Sequence, residues 1–546
     1  MNLCTKRGSS LVYNSIASAA LVACAAGLSA WPITGMAQAA VDPIGLATSG
    51  PTFPIKGFDI DGENPLSAAE VSRVVAPFLR SDATIETLQK ATAALEAALK
   101  EKGFALHRVS LPPQEVGGAV KLTIVKFVIG KVTIDGRVRF GEANIRGSVP
   151  ELLEGSAPNF RTLAVQTAIA NESQGKRLQV ALKESDEPDK IDARIVVKES
   201  KPWNFSVSSS NTGSAATGND RLTLAGSHSN LFDSDHQLTA AYTTSVERPT
   251  AVNQFGLNYR IPLYRWGGVV SASYTQSNVL GEFGAFQSTG TGRTMGVNYN
   301  HYLPPVGGYR SYLGVGVDDK QFDVILINGI PLAGQSVRRS VPLTLGYNGR
   351  LESDTAVWGF NVDLATNLPT GDSGNDLVSY RTEDTRIGTV QWSALRGAAN
   401  YTAAWGGGWL WGVRGQFQFS GDALIAGEQF GVGGATSVRG MAERPLSGDN
   451  GVLLSGEMTT REWAPGLRLL GFVDVAWLGN NNPTASKPES DSVSSAGLGL
   501  RYERPVLTLS ADYGRVIGGS VLPAAALSGI PKAGDDKLHI NLSARF

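Results

Sequence analysis

The sequence predicts two small α+β domains followed by an all-β transmembrane barrel of about sixteen antiparallel strands. Three observations carry this reading. Helical periodicity is confined to residues before about 200, and beyond Pro202 the chain shows only alternating segments. Those segments are ~10 residues long, with Trp, Tyr and Phe on one face and Arg, Gln and Asn on the other, which suits strands lying between lipid and a wet lumen. The connectors between them alternate between short and long.

Composition narrows the class. Charged residues make up 18% of the chain and glycine 64 of 546 residues, against ~25% and ~7% in ordinary soluble proteins. A net charge of −1 gives no basic field for nucleic acid. Outside the N-terminus no run approaches the ~20 apolar residues of a membrane helix. The five histidines (His107, His228, His236, His301, His539) lack metal-ligand spacing, and no phosphate-binding glycine loop is present. "GDSGN" (Gly371 to Asn375) has the form of a protease nucleophile loop but reads as a turn. "DIDGE" (Asp59 to Glu63) lacks the distal glutamate of a calcium loop and reads as the end of a strand. No enzyme activity, cofactor or metal is expected.

The first 39 residues read as an export signal. Lys6 and Arg7 precede an apolar core, and Ala37 to Ala39 forms an A-x-A cleavage site. Leu21 to Cys24 also has the form of a lipoprotein box, but apolar residues continue past Cys24. Cys4 and Cys24 are the only cysteines, so cleavage after Ala39 leaves no disulfide framework. Residues 40–51 form a short extension.

Residues 52–127 read as the first domain. "FPIKGFDIDG" is a strand, and Ser67 with Glu70 forms a capping box before "LSAAEVSRVVAPFL". A second helix carries Ile85, Leu88, Ala91, Leu95 and Leu99 and stops near Gly103. Strands "FALHRVSL" and "VKLTIVKF" follow. The order recurs over 128–200 with "GKVTIDG", a helical region around Leu163 to Glu172, "LQVALKE" and "KIDARIVVKES", which makes an internal duplication.

Residues 201–546 form the barrel, with strands starting near 202, 220, 236, 252, 267, 292, 310, 338, 355, 389, 409, 452, 467, 492, 505 and 537. In "KLHINLSARF", Leu538, Ile540, Leu542, Ala544 and Phe546 lie opposite Lys537, His539, Asn541, Ser543 and Arg545. Short connectors such as "PLYRWG", "PPVGGY" and "AWGGG" alternate with long ones near 277–291, 323–337, 367–388, 421–451, 478–491 and 517–536. Membrane barrels keep short turns in the periplasm and long loops outside. With the N-terminal domains in the periplasm, the long set is expected outside, and an even strand count returns the C-terminus to the periplasm.

Four motifs carry a family resemblance. The segment from Gly103 to Val125 contains Gly103-Phe104, then Leu111-Pro112-Pro113-Gln114, then Gly118-Ala119-Val120. "SNLFDSDHQLTAAYTTS" is similar to the turn and strand that open the barrel in that family. Val438-Arg439-Gly440-Met441 lies in the loop at about 421–451, and Phe472-Val473-Asp474-Val475-Ala476 in the thirteenth barrel strand. In order and spacing the chain resembles the two-partner secretion transporters (TpsB type), the haemolysin and haemagglutinin secretion/activation proteins. Phe546 matches the aromatic ending common in such barrels.

The resemblance implies that the N-terminal units are POTRA-like domains in the periplasm of a Gram-negative bacterium, under a barrel in the outer membrane. It implies that the chain captures an unfolded, cognate exoprotein of TpsA type, an adhesin or haemolysin, and secretes it. Further implied partners are outer-membrane lipid and the barrel assembly machinery that inserts the chain. An assembly insertase and a passive porin are the alternatives; two POTRA-like units and the L-P-x-Q motif favour secretion. The resemblance also implies that the 421–451 loop folds into the lumen and that Arg439 reaches Asp474 there. Alternation agrees, since Asp474 shares a face with Arg468, Leu470, Phe472 and Ala476, and Arg468 suits only a wet lumen. Met441 and Ala476 depart from the family's aromatic and glycine. Residues 40–51 leave no room for both the plug helix and the long linker of some members.

Overall fold

A computed structural model describes residues 52–546 except 116–117, 280, 289, 325, 328–329, 332–333 and 524–528. The expected export signal (1–39) with Cys24, and the extension at 40–51, lie outside the described residues.

The first domain runs β1 (Ile55–Gly62), α1 (Ala68–Val75), α2 (Ile85–Glu101), β2 (His107–Ser110) and β3 (Gly118–Lys126). Its sheet has the order β1-β3-β2, with β1 parallel and β2 antiparallel to β3. α1 starts at a capping box in which Ser67 Oγ accepts the Glu70 amide and the Glu70 carboxylate accepts the Ser67 amide. Pro77 then tightens the chain into a short 3-10 turn. α2 buries Leu88, Ala91, Leu95 and Leu99, and the three leucines share one core with Val120, Leu122 and Ile124 of β3. Ile85, expected on this face, is 58% exposed because it opens the first turn, ahead of the buried stripe.

The second domain repeats the order: β4 (Val128–Asp135), α3 (Glu142–Ser148), α4 (Phe160–Ala170), β5 (Lys176–Glu184) and β6 (Lys190–Glu199), with sheet order β4-β6-β5. α3 is an addition to the sequence reading. It is seven residues long, too short to show a period, and its N-terminal amide at Gly141 is taken by Asp233, 92 residues away. The two domains join at Gly103, whose φ of +99° lets α2 end against α4. A Cβ there would lie 2.2 Å from Asn159 Oδ1. The Phe160 amide donates to the Gly103 carbonyl at 2.8 Å.

Sixteen barrel strands follow: β7 (Trp203–Ser210), β8 (Arg221–Leu231), β9 (His236–Thr244), β10 (Gln254–Leu263), β11 (Gly268–Ser277), β12 (Gly292–Tyr302), β13 (Tyr309–Phe322), β14 (Arg338–Ser340 and Pro342–Glu352), β15 (Ala356–Asn367), β16 (Ser393–Ala404), β17 (Leu410–Ser420), β18 (Asn450–Thr459), β19 (Leu467–Gly479), β20 (Ser490–Glu503), β21 (Leu507–Gly518) and β22 (Asp536–Arg545). β14 breaks at Val341 because Pro342 brings no N–H. The Val341 amide donates instead to Asn367 Oδ1 at 2.6 Å, and the register on β13 is the same on both sides of the break.

Each strand is antiparallel to its neighbours, and β22 closes on β7. Faces alternate: Trp411, Val413 and Phe419 point outward from β17 while Gln418 is buried within. Trp203, Trp266, Trp405 and Trp463 are exposed at the end that carries the N-terminal domains, an interfacial aromatic girdle. The connectors at that end are short. At the other end lie residues 211–220, 245–253, 278–291, 323–337, 368–392, 421–449, 480–489 and 519–535; the first two join the long set read from sequence. The hairpin Gly281–Phe283 with Phe286–Ser288 does not stay outside. Its Gly284 approaches Ala241 and its Phe286 covers Gly256 on the inner wall.

The second domain is bolted to the barrel through the β8–β9 turn. Lys176 Nζ donates to Asp235 Oδ2, Asn144 Oδ1 and Ser148 Oγ, each at 2.6 Å. Tyr264, from the next periplasmic turn, donates to the same Asp235 oxygen at 2.6 Å. Burial draws the Lys176 ammonium below its ordinary value, and the Asp235 carboxylate opposes this. Nearby, Val165 and Ile169 of α4 pack against Val269 and Tyr302 of the barrel.

Closure at β22–β7 rests on five residue pairs, Asn541↔Ser210 to Arg545↔Ser206. Asn211 extends it with its side chain, accepting the Ile540 amide at 2.8 Å and donating to the Leu538 carbonyl at 2.6 Å. At the periplasmic end the Phe546 amide donates to the Phe205 carbonyl at 2.9 Å. Deleting Phe546 removes this last pair and an exposed aromatic ring. The expected outcome is a severalfold fall in heat-modifiable barrel recovered from the outer membrane. Unchanged recovery would contradict this role for Phe546.

Candidate functional site

Residues 421–449 join β17 to β18 and fold back between the walls. The returning arms pair as a short hairpin, Phe430–Val432 against Leu446–Gly448. Val432, Val438, Met441 and Leu446 share a buried cluster with Leu453, Ala476, Leu478, Val493 and Val516 of the wall. Met441 and Ala476 thus meet in one apolar patch, where the flexible thioether fills the space.

Arg439 stands at the tip of the loop. Its Nε donates to Asp474 Oδ2 and its Nη2 to Asp474 Oδ1, both at 2.8 Å, and its backbone amide adds a third bond to Oδ2 at 3.1 Å. This is the bidentate fork that arginine makes and lysine cannot. Nη1 donates to Glu457 Oε1 at 2.6 Å, and the guanidinium lies 3.5 Å from the centre of the Phe472 ring. Ser455 Oγ donates to Asp474 Oδ1 at 2.6 Å. Arg439 is 2% exposed and Asp474 0%. The sequence reading places this pair in a wet lumen; the loop itself seals it from water.

The close approach depends on two glycines. Gly440 has φ +92°, and a Cβ on it would lie 2.7 Å from the Gly514 carbonyl of β21; a Cβ on Gly514 would lie 2.7 Å from Gly440 N. The Gly440 amide donates to His539 Nε2 on β22 at 3.2 Å. Arg501 neutralises the neighbouring Asp512 through two bonds, 2.6 and 2.9 Å.

The root of the loop is anchored elsewhere. Glu428, 2% exposed, accepts from Arg396 Nη2 at 2.9 Å and Ser340 Oγ at 2.8 Å, and pairs with Lys320 at 3.1 Å. These partners lie on β16, β14 and β13. Asp449, at the far end of the loop, accepts the amides of Leu424 (2.9 Å) and Asn481 (3.0 Å) and Arg386 Nη1 (2.9 Å). It thereby ties the 368–392 and 480–489 loops to the same root. Lys487, on the latter, donates to Gln429 Oε1 at 2.8 Å, and its burial draws it down to about 8.

Val438, Arg439, Gly440 and Met441 therefore meet Phe472, Asp474 and Ala476 in one place. Gly103, Leu111, Pro112 and Gln114 lie in the first domain instead. Gln114 extends the ladder where Pro112 and Pro113 cannot: its side chain accepts the Lys121 amide and donates to the Lys121 carbonyl, each at 2.7 Å. Ser455, Glu457, Asp512, Gly514 and the root set around Glu428 escape the sequence reading, as does the contact that His539 makes with Gly440. Alternation marks Ser455 and Glu457 as inward, since Leu454 and Met458 point out, but gives no pairing.

The haemolysin secretion/activation protein family (ShlB/FhaC/HecB) matches residues 189–502, and the ShlB-type POTRA domain matches residues 53–126. The outer membrane transporter CdiB of Dickeya dadantii is 22% identical over 440 residues, spanning 78% of this chain and 75% of that protein. Among solved structures, CdiB from Escherichia coli superposes with TM-score 0.73 at 19% identity and CdiB from Acinetobacter baumannii with 0.70 at 16%, each covering 100% of both chains.

Arg439→Ala takes the arginine from Asp474 and Glu457, while Asp512 keeps Arg501. Removing one partner of a buried pair costs ~3–5 kcal/mol, and each ~1.4 kcal/mol is tenfold in an equilibrium. Amides of the 430–448 hairpin are therefore expected to exchange hydrogen about 100-fold faster, while those of β19 keep their protection. The Arg439→Ala, Asp474→Ala double variant should exchange no faster than either single variant. Wild-type protection in Arg439→Ala would refute the anchor.

Proposed function

Because the chain belongs to the haemolysin secretion/activation protein family (ShlB/FhaC/HecB), the non-enzymatic outer-membrane transporters of two-partner secretion that export a cognate exoprotein, we propose that its N-terminal domains receive the unfolded exoprotein and its lumen conducts it outward past the arginine-anchored loop. The observation that carries this is the seating of that loop. It occupies the lumen through breakable polar contacts at two separate places, Arg439 and Glu428, instead of being woven into the wall. A passage blocked this way can open without unfolding the barrel.

On the outer edge of β2 the His107 and Val109 amides are already held by the Phe104 carbonyl and the Glu96 carboxylate, so the open edge for an extended chain is that of β5 beyond Leu178, whose own amide and carbonyl bond the Asn171 side chain. Strand addition there draws affinity from backbone hydrogen bonds and selectivity from side-chain pockets. Folding of the cargo outside supplies direction, since the periplasm offers no nucleotide energy. The cargo is a TpsA-type adhesin or haemolysin, and the barrel itself reaches the membrane through the assembly machinery, with Phe546 as part of its terminal signal.

Two outcomes are expected. Arg439→Ala and Asp474→Ala should each lower exoprotein in the culture supernatant relative to transporter in the outer membrane, with the barrel still trypsin-resistant. Full secretion by Arg439→Ala at wild-type transporter level would remove the loop from the mechanism. Separately, the 52–200 fragment should bind the N-terminal region of the cognate exoprotein weakly to moderately, because a disordered partner loses entropy on ordering. A folded fragment with no binding at high micromolar concentration would contradict a receiving role.

A further inference from the structure

The turn from β4 to α3, Arg137 to Phe140, stands beside the outer side of the first barrel strands. Trp203 opens β7 and pairs with His228 of β8. Trp203, Phe205 and Val207 point away from the lumen and are 45%, 57% and 39% exposed. Between the turn and these strands lies an open cleft of about 670 Å³, lined by Arg137, Val138, Arg139, Trp203, His228 and Asp233, whose carboxylate is engaged by the Gly141 amide and Asn230 Nδ2.

The turn is held in shape from behind. The Glu199 carboxylate accepts the amides of Val138, Arg139 and Phe140 at 2.9, 2.6 and 3.2 Å. That carboxylate is thereby occupied inside the turn, and the side chains of Arg137, Val138 and Arg139 are left exposed. Val138 is 79% exposed. Phe232, 81% exposed, neighbours Asp233, which holds the Gly141 amide at the end of the same turn.

We propose that this cleft binds an anionic phospholipid of the periplasmic leaflet. Three features commit it to lipid. The cleft continues the lipid-facing surface of β7, so acyl chains can run from it along Trp203, Phe205 and Val207. Trp203 belongs to the periplasmic aromatic girdle, which sets the headgroup level at the mouth of the cleft. Two arginines on a fixed backbone stand at that level, Arg137 donating one Nη1 bond to the Phe140 carbonyl at 3.3 Å and keeping its other donors for a phosphate, and each basic group strengthens binding to an anionic surface. Val138 of this turn and Phe232 of the β8–β9 turn, both apolar and outward, enter the headgroup region beside them. The second domain is then fastened to the membrane as well as to the barrel.

The test uses full-length transporter in detergent, with native mass spectrometry of bound phosphatidylglycerol, phosphatidylcholine of the same chain length, and inorganic phosphate. Phosphatidylglycerol is expected to be retained in preference to phosphatidylcholine. Its apparent affinity should fall about tenfold in the Arg137→Ala, Arg139→Ala double variant, fall also in Val138→Asp, which keeps both arginines, and stay unchanged in Arg108→Ala on the first domain. Heat-modifiability reports barrel folding for every variant, and the comparison of the two lipids on the wild-type protein needs no variant. Equal retention of the two lipids, equal retention of phosphatidylglycerol by wild type and double variant, or displacement of phosphatidylglycerol by equimolar phosphate would each overturn the proposal.

Discussion

Backbone groups in lipid have no water to bond, so every strand in the membrane must find a partner on both sides. The ladder from β7 to β22 meets that constraint by closing on itself, and the rest of the molecule follows from the closure. A closed wall has an inside, and the period-2 alternation of each strand assigns every side chain to lipid or lumen. Only inside such a wall can Asp474, Glu457 and Asp512 of the inner face, and separately Glu428 of the loop, be buried at low cost, each facing an arginine or lysine. The seam that completes the ring is the shortest stretch of pairing between whole strands, and it relies on the Asn211 side chain and Phe546 to lengthen it.

Much of this was legible in the sequence, for reasons that are local. Alternation of Trp411, Val413 and Phe419 with Gln418 is visible within one strand, and so is the buried stripe of α2. Strand starts read from the pattern lie within a few residues of those observed, the largest gap being at β16, where Trp392 and its neighbours continue the alternation into the loop. What stayed hidden depends on the third dimension. α3 is capped by Asp233 from the barrel and shows no period of its own. Lys176 reads as one more surface lysine of an edge strand until the β8–β9 turn covers it. Gly514 looks like an ordinary strand glycine, and only its contact with Gly440 explains why a side chain there would unseat the loop. The Arg439–Asp474 approach entered through family resemblance; no spacing rule links residues on different elements across a lumen.

The joint between the second domain and the barrel is built from groups that need each other. Asp233 serves the helix dipole and open amide of α3, Asp235 serves Lys176 and Tyr264, and Glu172 accepts from both Arg260 and Tyr302 at 2.6 Å. Asp233, Asp235, Arg260 and Tyr302 of the barrel are each matched by a donor or acceptor of the domain, so separating the two bodies strands several polar groups at once. Such a joint favours one docked orientation of the second domain over a continuum of tilts.

The two anchorages of the 421–449 loop have a mechanical consequence. Glu428 holds one arc of the wall, β13 to β16, and Arg439 holds another, β18 to β21. The loop is therefore a chord across an elastic ring. A ring of hydrogen-bonded strands yields most easily by becoming elliptical, and a chord resists only the distortions that change its own length. Flattening along the chord compresses both anchors together, whereas flattening across it pulls on both. Cutting one end changes the device entirely: with Arg439 released the loop becomes a flap hinged at the outer mouth, swinging in the direction a departing chain would push it.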